Sequence, residues 1–243
     1  MFPIRDHNPS QTTPVVTIGL ILLNVVIFLF TLPLMDNPQA LAGFYNTWSM
    51  VPADVTSGAN YQCLLTSMFL HGGIMHIIGN MLFLWIFGDN MEDAFGHLGF
   101  LVFYLAAGIG ADLAQVAAAP LSPIPTVGAS GAIAGVLGGY LLLYPRARVD
   151  ILFIFIVFFK VIPVPAWLML GLWFVFQVLD GSTTNVAQGG VAYWAHAGGF
   201  VLGALFTLPV MIRRRAAGVI APGATPARRD PNITDIPTVR RRR

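Results

Sequence analysis

The run Gly128-Ala129-Ser130-Gly131-Ala132-Ile133-Ala134-Gly135-Val136-Leu137-Gly138-Gly139-Tyr140-Leu141-Leu142-Leu143 carries one aliphatic hydroxyl, Ser130, at its head. It meets no charged residue before Arg146. Small and apolar residues at this density predict a helix that packs closely inside a membrane. A hydroxyl flanked by glycines at its start is hard to explain by packing alone. A second run, Ala195-His196-Ala197-Gly198-Gly199, also opens an apolar stretch near the chain's end, with a histidine in place of the serine. Serine and histidine are the minimum parts of an activated nucleophile. Whether they meet depends on topology.

The whole chain is of the same character. Of 243 residues, 56% are apolar and 10% charged, and the mean hydropathy is +0.73. Soluble domains carry about a quarter charged residues, so the composition predicts an all-α membrane protein. A single cysteine, Cys63, excludes an intramolecular disulfide and disfavours a thiolate metal site. Met1 to Thr12 are mostly polar and lead into a full-length apolar run, which is not the pattern of a cleavable signal peptide.

Apolar runs of about 20 residues are long enough to cross a bilayer. Six are expected: Val15 to Leu34, a stretch within Cys63 to Gly88, Leu98 to Ala118, Ser130 to Tyr144, Ala166 to Leu179 and Tyr193 to Ile212. Thr17, Asn24 and Thr31 recur every seven positions in the first and so share a face turned into the bundle. Lys160, Pro163 and Pro165 interrupt the stretch after Ile151, which predicts an extended or interfacial segment over Ile151 to Phe159. The division expected is residues 1–14 as a cytoplasmic segment, 15–212 as the six-span domain and 213–243 as a disordered Arg-rich cytoplasmic tail. All 13 lysines and arginines fall at Arg5, at Arg146, Arg148 and Lys160, and from Arg213 onward. With six spans these places share one side, which the positive-inside rule makes cytoplasmic, both termini included.

The even-numbered spans then all begin at the outer face. The second brings His71, His76 and Asn80, the fourth Ser130 and the sixth His196. Ionisable groups inside a membrane are costly and mark function by default. Gly131, Gly135 and Gly139 stripe the fourth span; Ala195, Gly199 and Gly203 stripe the sixth, so the two helices are natural neighbours. Their close approach brings His196 within reach of Ser130. His76 and Asn80, at i and i+4, share a face and are candidate donors to a developing oxyanion. His71 lies off that face, near the helix entrance.

As a set, His71-x4-His76-x3-Asn80, Gly128-x-Ser130-Gly131 and Ala195-His196-x2-Gly199-x3-Gly203, with Gly88-Asp89-Asn90-Met91-Glu92-x3-Gly96, resemble the rhomboid family of intramembrane serine proteases, bacterial six-span type. The resemblance covers roughly Trp48 to Pro209. It implies a rhomboid-like bundle in the bacterial inner membrane, with Ser130 as nucleophile, His196 as its base and no carboxylate. It further implies His76 and Asn80 as oxyanion donors beside the Ser130 N–H, and Gly199 as the site of close approach. The implied activity is hydrolysis of peptide bonds in or beside transmembrane segments of other proteins, with no cofactor and no metal. Membrane lipids are the other partner; nucleic acid is not. Two positions depart from patterns found in some members: Ala134 stands where an aromatic stacks on the histidine, and Trp48 has no arginine beside it.

Rival readings are a rhomboid-like binder of membrane helices without catalysis, a metal or haem protein built on His71, His76 and His196, and a transporter. The chain has no HExxH motif and no clear internal repeat. Asp112 is expected to make a buried polar contact rather than a third catalytic member, and Glu92 and Asp93 to cap or shape the adjoining loop.

Overall fold

The computed structural model describes residues 2–155, 158–184 and 189–217. In chain order the elements are β1 (Phe2–Asp6), α1 (Val15–Thr31), α2 (Pro38–Trp48), α3 (Pro52–Thr56), α4 (Cys63–Thr66), α5 (Ile74–Phe95), α6 (His97–Ala118), α7 (Ser130–Leu143), β2 (Arg148–Phe155), β3 (Phe158–Pro165), α8 (Ala166–Thr183) and α9 (Tyr193–Ala216). The protein is a multi-pass membrane bundle. Val15–Asp36, α6, α8 and α9 are each long and apolar enough to cross a bilayer.

The second expected span begins later than its sequence suggests. Cys63–Phe69 and Ile74–Phe95 meet at 95°, with His71-Gly72-Gly73 at the corner. A glycine pair is a poor helix former, so the chain turns there and α5 alone takes the direction of the bundle, running on to Phe95.

The helix headed by Ser130 lies at the centre. Every residue from Gly131 to Tyr140 is buried, so α7 is walled by protein on all sides. At 14 residues it is about 21 Å long, short of a ~30 Å hydrocarbon core. Its glycines set the packing. A Cβ on Gly199 would lie 2.2 Å from the Gly131 carbonyl oxygen, and one on Gly203 would lie 2.1 Å from that of Gly135. The two stripes therefore do face each other, backbone to backbone. Gly138, outside the expected stripe, is equally constrained by the Phe200 carbonyl at 2.0 Å.

The polar face read in the first helix is turned inward, and its Thr17 is bonded across the bundle. Thr17, Asn24 and Thr31 are all buried. Pro14 supplies no side-chain cap to α1; Glu92, from the far end of α5, does that work. Its carboxylate accepts from the N–H groups of Val16 (2.9 Å) and Thr17 (2.8 Å) and from the Thr17 hydroxyl (2.7 Å). Helix N-termini carry orphan N–H donors and a positive dipole end, and both favour this anion. Asp93 accepts from Gln11 and Thr12 just upstream.

One end of the bundle departs from a purely helical plan. The expected extended segment is a hairpin, β2 against β3, and β1 adds to it antiparallel, pairing Phe2 with Leu152 and Asp6 with Val149. Arg5 (2.7 Å) and His7 (2.7 Å) bind the Asp150 carboxylate across this sheet. Burial pushes that carboxyl up, but the His7 and Arg5 hydrogen bonds and charges outweigh it and hold it below its usual range. Arg214 donates to the Tyr144 hydroxyl at 2.8 Å, joining the end of α9 to the end of α7. Arg213 to Arg215 belong to the last turn of α9 rather than to a tail, where they complement the helix dipole; the remainder of the Arg-rich segment lies outside the described residues. The basic end thus gathers Arg5, Arg148 and Arg214, while Ser130 and His196 sit at the opposite ends of α7 and α9.

Candidate active site

Ser130 is the first residue of α7 and His196 the fourth of α9. Their side chains meet: Ser130 Oγ lies 2.7 Å from His196 Nε2. The contact spans 66 residues of sequence and depends on the glycine seam below it. Gly199 follows His196 by one turn, so the backbone contact at Gly131 fixes how near the imidazole comes to the hydroxyl.

The segment before Ser130 is held from two directions. Met50 and Thr126 exchange backbone hydrogen bonds (3.1 and 2.7 Å), and the Gly128 N–H donates to the Ser67 carbonyl at 2.9 Å. Ser67 is itself pinned by its hydroxyl to Asp112 at 2.7 Å. Asp112 thus makes the buried polar contact expected of it. Gly128 has φ +133°, a conformation that side chains rarely adopt, and a Cβ there would meet the His76 ring at 2.9 Å and Ser130 Oγ at 3.5 Å. His76 and Ser130 therefore flank one small space.

Asn80, one turn along α5 from His76, is buried, and its Nδ2 has no hydrogen-bond partner among the described residues. Ala129 gives α7 no side-chain cap, which leaves first-turn N–H groups free at the same place. His76, Asn80, Gly128, Ser130 and His196 all line one cavity of about 520 Å³, within the usual range of ligand sites, about 300–1,000 Å³. Its lining thus brings hydrogen-bond donors and the Ser130 hydroxyl to one cavity. His71 is elsewhere. It is fully buried at the corner before α5, edge-on to His76 (5.2 Å between ring centroids) and to Phe28 (6.5 Å).

Two neighbours of His196 escaped the sequence reading. Gln177 Oε1 lies 2.7 Å from Nδ1. The Trp173 ring, one turn earlier on α8, tilts by 32° over the imidazole at a centroid distance of 5.8 Å. Ala134 is buried in the core, and the aromatic face that it cannot supply comes from Trp173 instead. A glutamine and a tryptophan four apart in an apolar helix were the available signal. No three His, Cys, Asp or Glu side chains among the described residues cluster at ligand distance.

Comparison with known proteins agrees with this architecture. The Rhomboid domain model matches residues 59–213. "Rhomboid protease GluP" of Bacillus subtilis (strain 168) is 47% identical over 78 residues, 32% of this chain and 15% of that protein. "Rhomboid protein 1, mitochondrial" of Saccharomyces cerevisiae is 33% identical over 150 residues, 59% of this chain and 40% of that protein. "Putative rhomboid protease YdcA" of Bacillus subtilis (strain 168) is 32% identical over 128 residues, 53% of this chain and 61% of that protein. In each of the three the chain spans less than two thirds of the relative's length. The family model, by contrast, takes in well over half of this chain, and the chain belongs to the rhomboid family.

Proposed function

We propose that this protein is an intramembrane serine endopeptidase that cleaves peptide bonds in or beside the transmembrane segments of other membrane proteins. The observation that carries the reading is the 2.7 Å contact between Ser130 Oγ and His196 Nε2, made between two helices at the end of the bundle away from its arginines. Protease-named relatives in the same family support it.

In this mechanism Ser130 Oγ attacks the scissile carbonyl carbon as its proton passes to His196 Nε2. The carbonyl oxygen becomes an oxyanion held by His76, Asn80 and the N–H groups at the start of α7. Collapse of the tetrahedral intermediate breaks the C–N bond, and His196 returns the proton to the leaving amine. A water then attacks the acyl-enzyme with His196 again as base, restoring Ser130. The cavity's size and polar lining suit entry of that water.

Six spans, α1 and α5 to α9, with both chain ends on the cytoplasmic side of a bacterial inner membrane, complete the proposal, and residues 15–212 form the protease domain. The clustering of basic residues at one end supports this orientation. In this arrangement α7 is a buried central post of 14 residues whose Ser130 end stops at the polar cavity, short of the outer face.

Purified protein mixed with a single-span reporter tests the reading. Wild type is expected to cut the reporter and to take a fluorophosphonate label on Ser130. Ser130→Ala and His196→Ala are expected to do neither while keeping the wild-type thermal transition. Normal turnover by either variant refutes the assignment.

A further inference from the structure

We propose that Gln177 is a positioning residue for His196: its side-chain carbonyl accepts a hydrogen bond from Nδ1–H and thereby selects the tautomer whose Nε2 takes the Ser130 proton. The proposal rests on the protease reading and adds to it a third group, from a third helix.

A neutral imidazole has one N–H and one lone pair. For Nε2 to accept from Ser130 Oγ at 2.7 Å, the proton must sit on Nδ1. Nδ1 then needs an acceptor, and Gln177 Oε1 is 2.7 Å away. The opposite tautomer puts a proton on Nε2, turns the histidine into a donor toward Ser130, and ends base catalysis. In the productive arrangement both hydrogen bonds run the same way, serine to histidine to glutamine, and each polarises the next.

Burial makes the selection firm. Gln177 is 9% exposed in an otherwise apolar stretch of α8, so water competes poorly for its carbonyl. Trp173 covers a face of the same ring, leaving the imidazole little freedom to rotate away. Asp112, the buried carboxylate lining the same cavity, is committed to Ser67 at 2.7 Å. A carboxamide thus stands where soluble serine proteases place a carboxylate. It orients the histidine without requiring a second charge to be buried in a membrane.

The test is steady-state cleavage of a transmembrane reporter by full-length Gln177→Leu and Gln177→Glu, with thermal unfolding of each. Leucine keeps the bulk and removes the acceptor. The expected result is a fall in kcat of about 10–100-fold, between the loss of one hydrogen bond and the loss of a triad carboxylate. KM should stay within about twofold, since the residue acts through His196 and not on bound substrate. Glutamate restores an acceptor in either protonation state and should recover most of the lost rate, which a purely structural role does not predict. Wild-type kcat in Gln177→Leu overturns the proposal. So does an equal loss in both variants, even if leucine also lowers the melting point. Wild-type protein that neither cleaves nor labels instead sinks the protease reading, and the proposal with it; active wild type with an indifferent Gln177 sinks the proposal alone.

Discussion

Adding one methyl group to Gly199 should slow cleavage on the order of 100-fold without replacing any atom of the dyad. The new Cβ of Gly199→Ala would sit 2.2 Å from the Gly131 carbonyl oxygen and 3.1 Å from the Ala111 Cβ, where ordinary contact begins at 3.4 Å. The obstacle is backbone, so no rotamer relieves it; α9 must back away from α7 by about 1 Å. His196 is one turn from the substitution and moves with it. The Ser130–His196 separation then grows from 2.7 Å to about 3.7 Å, beyond a hydrogen bond. A misplacement of about 1 Å costs on the order of 100-fold in rate, and the overpacking itself costs about 1–3 kcal/mol of stability. Steady-state cleavage of a single-span reporter and a melting curve read the two effects separately. Gly171→Ala is the matched control, because no neighbouring atom lies within 4 Å of its added carbon, and it should keep wild-type kcat. If Gly199→Ala turns over at the wild-type rate, the backbone seam does not set the dyad's geometry and the reasoning fails.

Other perturbations separate the remaining parts. Asn80→Ala removes a free donor from the cavity and should lower kcat by about 10²–10³-fold with little change in KM, as for other oxyanion donors; unchanged kcat would dismiss it from that role. Glu92→Ala strips the start of α1 of its acceptor and should destabilise the bundle by about 2–4 kcal/mol, read by thermal unfolding. Burial pushes the Asp6 carboxyl up to about 6 from 3.8, against the opposing hydrogen bond from Tyr140. Between those values the folded state binds more protons than the unfolded one, so the anchoring of β1 should weaken as pH rises from about 4 to 6, by at most about 3 kcal/mol. Hydrogen exchange of residues 2–6 should show that trend, and Asp6→Asn should flatten it.

The candidate site was legible because its chemistry is conspicuous in a membrane. Ser130, His196, His76 and Asn80 interrupt apolar runs, and the arginine pattern predicts that they share one side. The glycine seam was legible for a related reason, since small residues at four-residue spacing have few uses other than close helix contact. What escaped notice depended on distant partners. An extended segment was expected over Ile151 to Phe159, but nothing local announces that Phe2–Asp6 adds a strand to it. Gln177 and Trp173 stand out only weakly in their apolar helix, and what they touch is decided when α8 docks on α9. The break between Cys63–Phe69 and Ile74–Phe95 had a local signal in Gly72-Gly73, but an apolar run by itself does not report a change of direction.

The joining of β1 to β2 has a bearing on how the molecule assembles. Its partners are separated by more than 140 positions, Asp6 with Val149 being the nearest pair. Closing so large a loop in a formless chain costs about 4 kcal/mol of entropy, more than a five-residue strand can return. The strand must therefore wait until α1 to α7 have already brought its partner near. Its pairing then reports the gathering of α1 to α7: protection of the amides of residues 2–6 during refolding should appear only after that of α1 and α5.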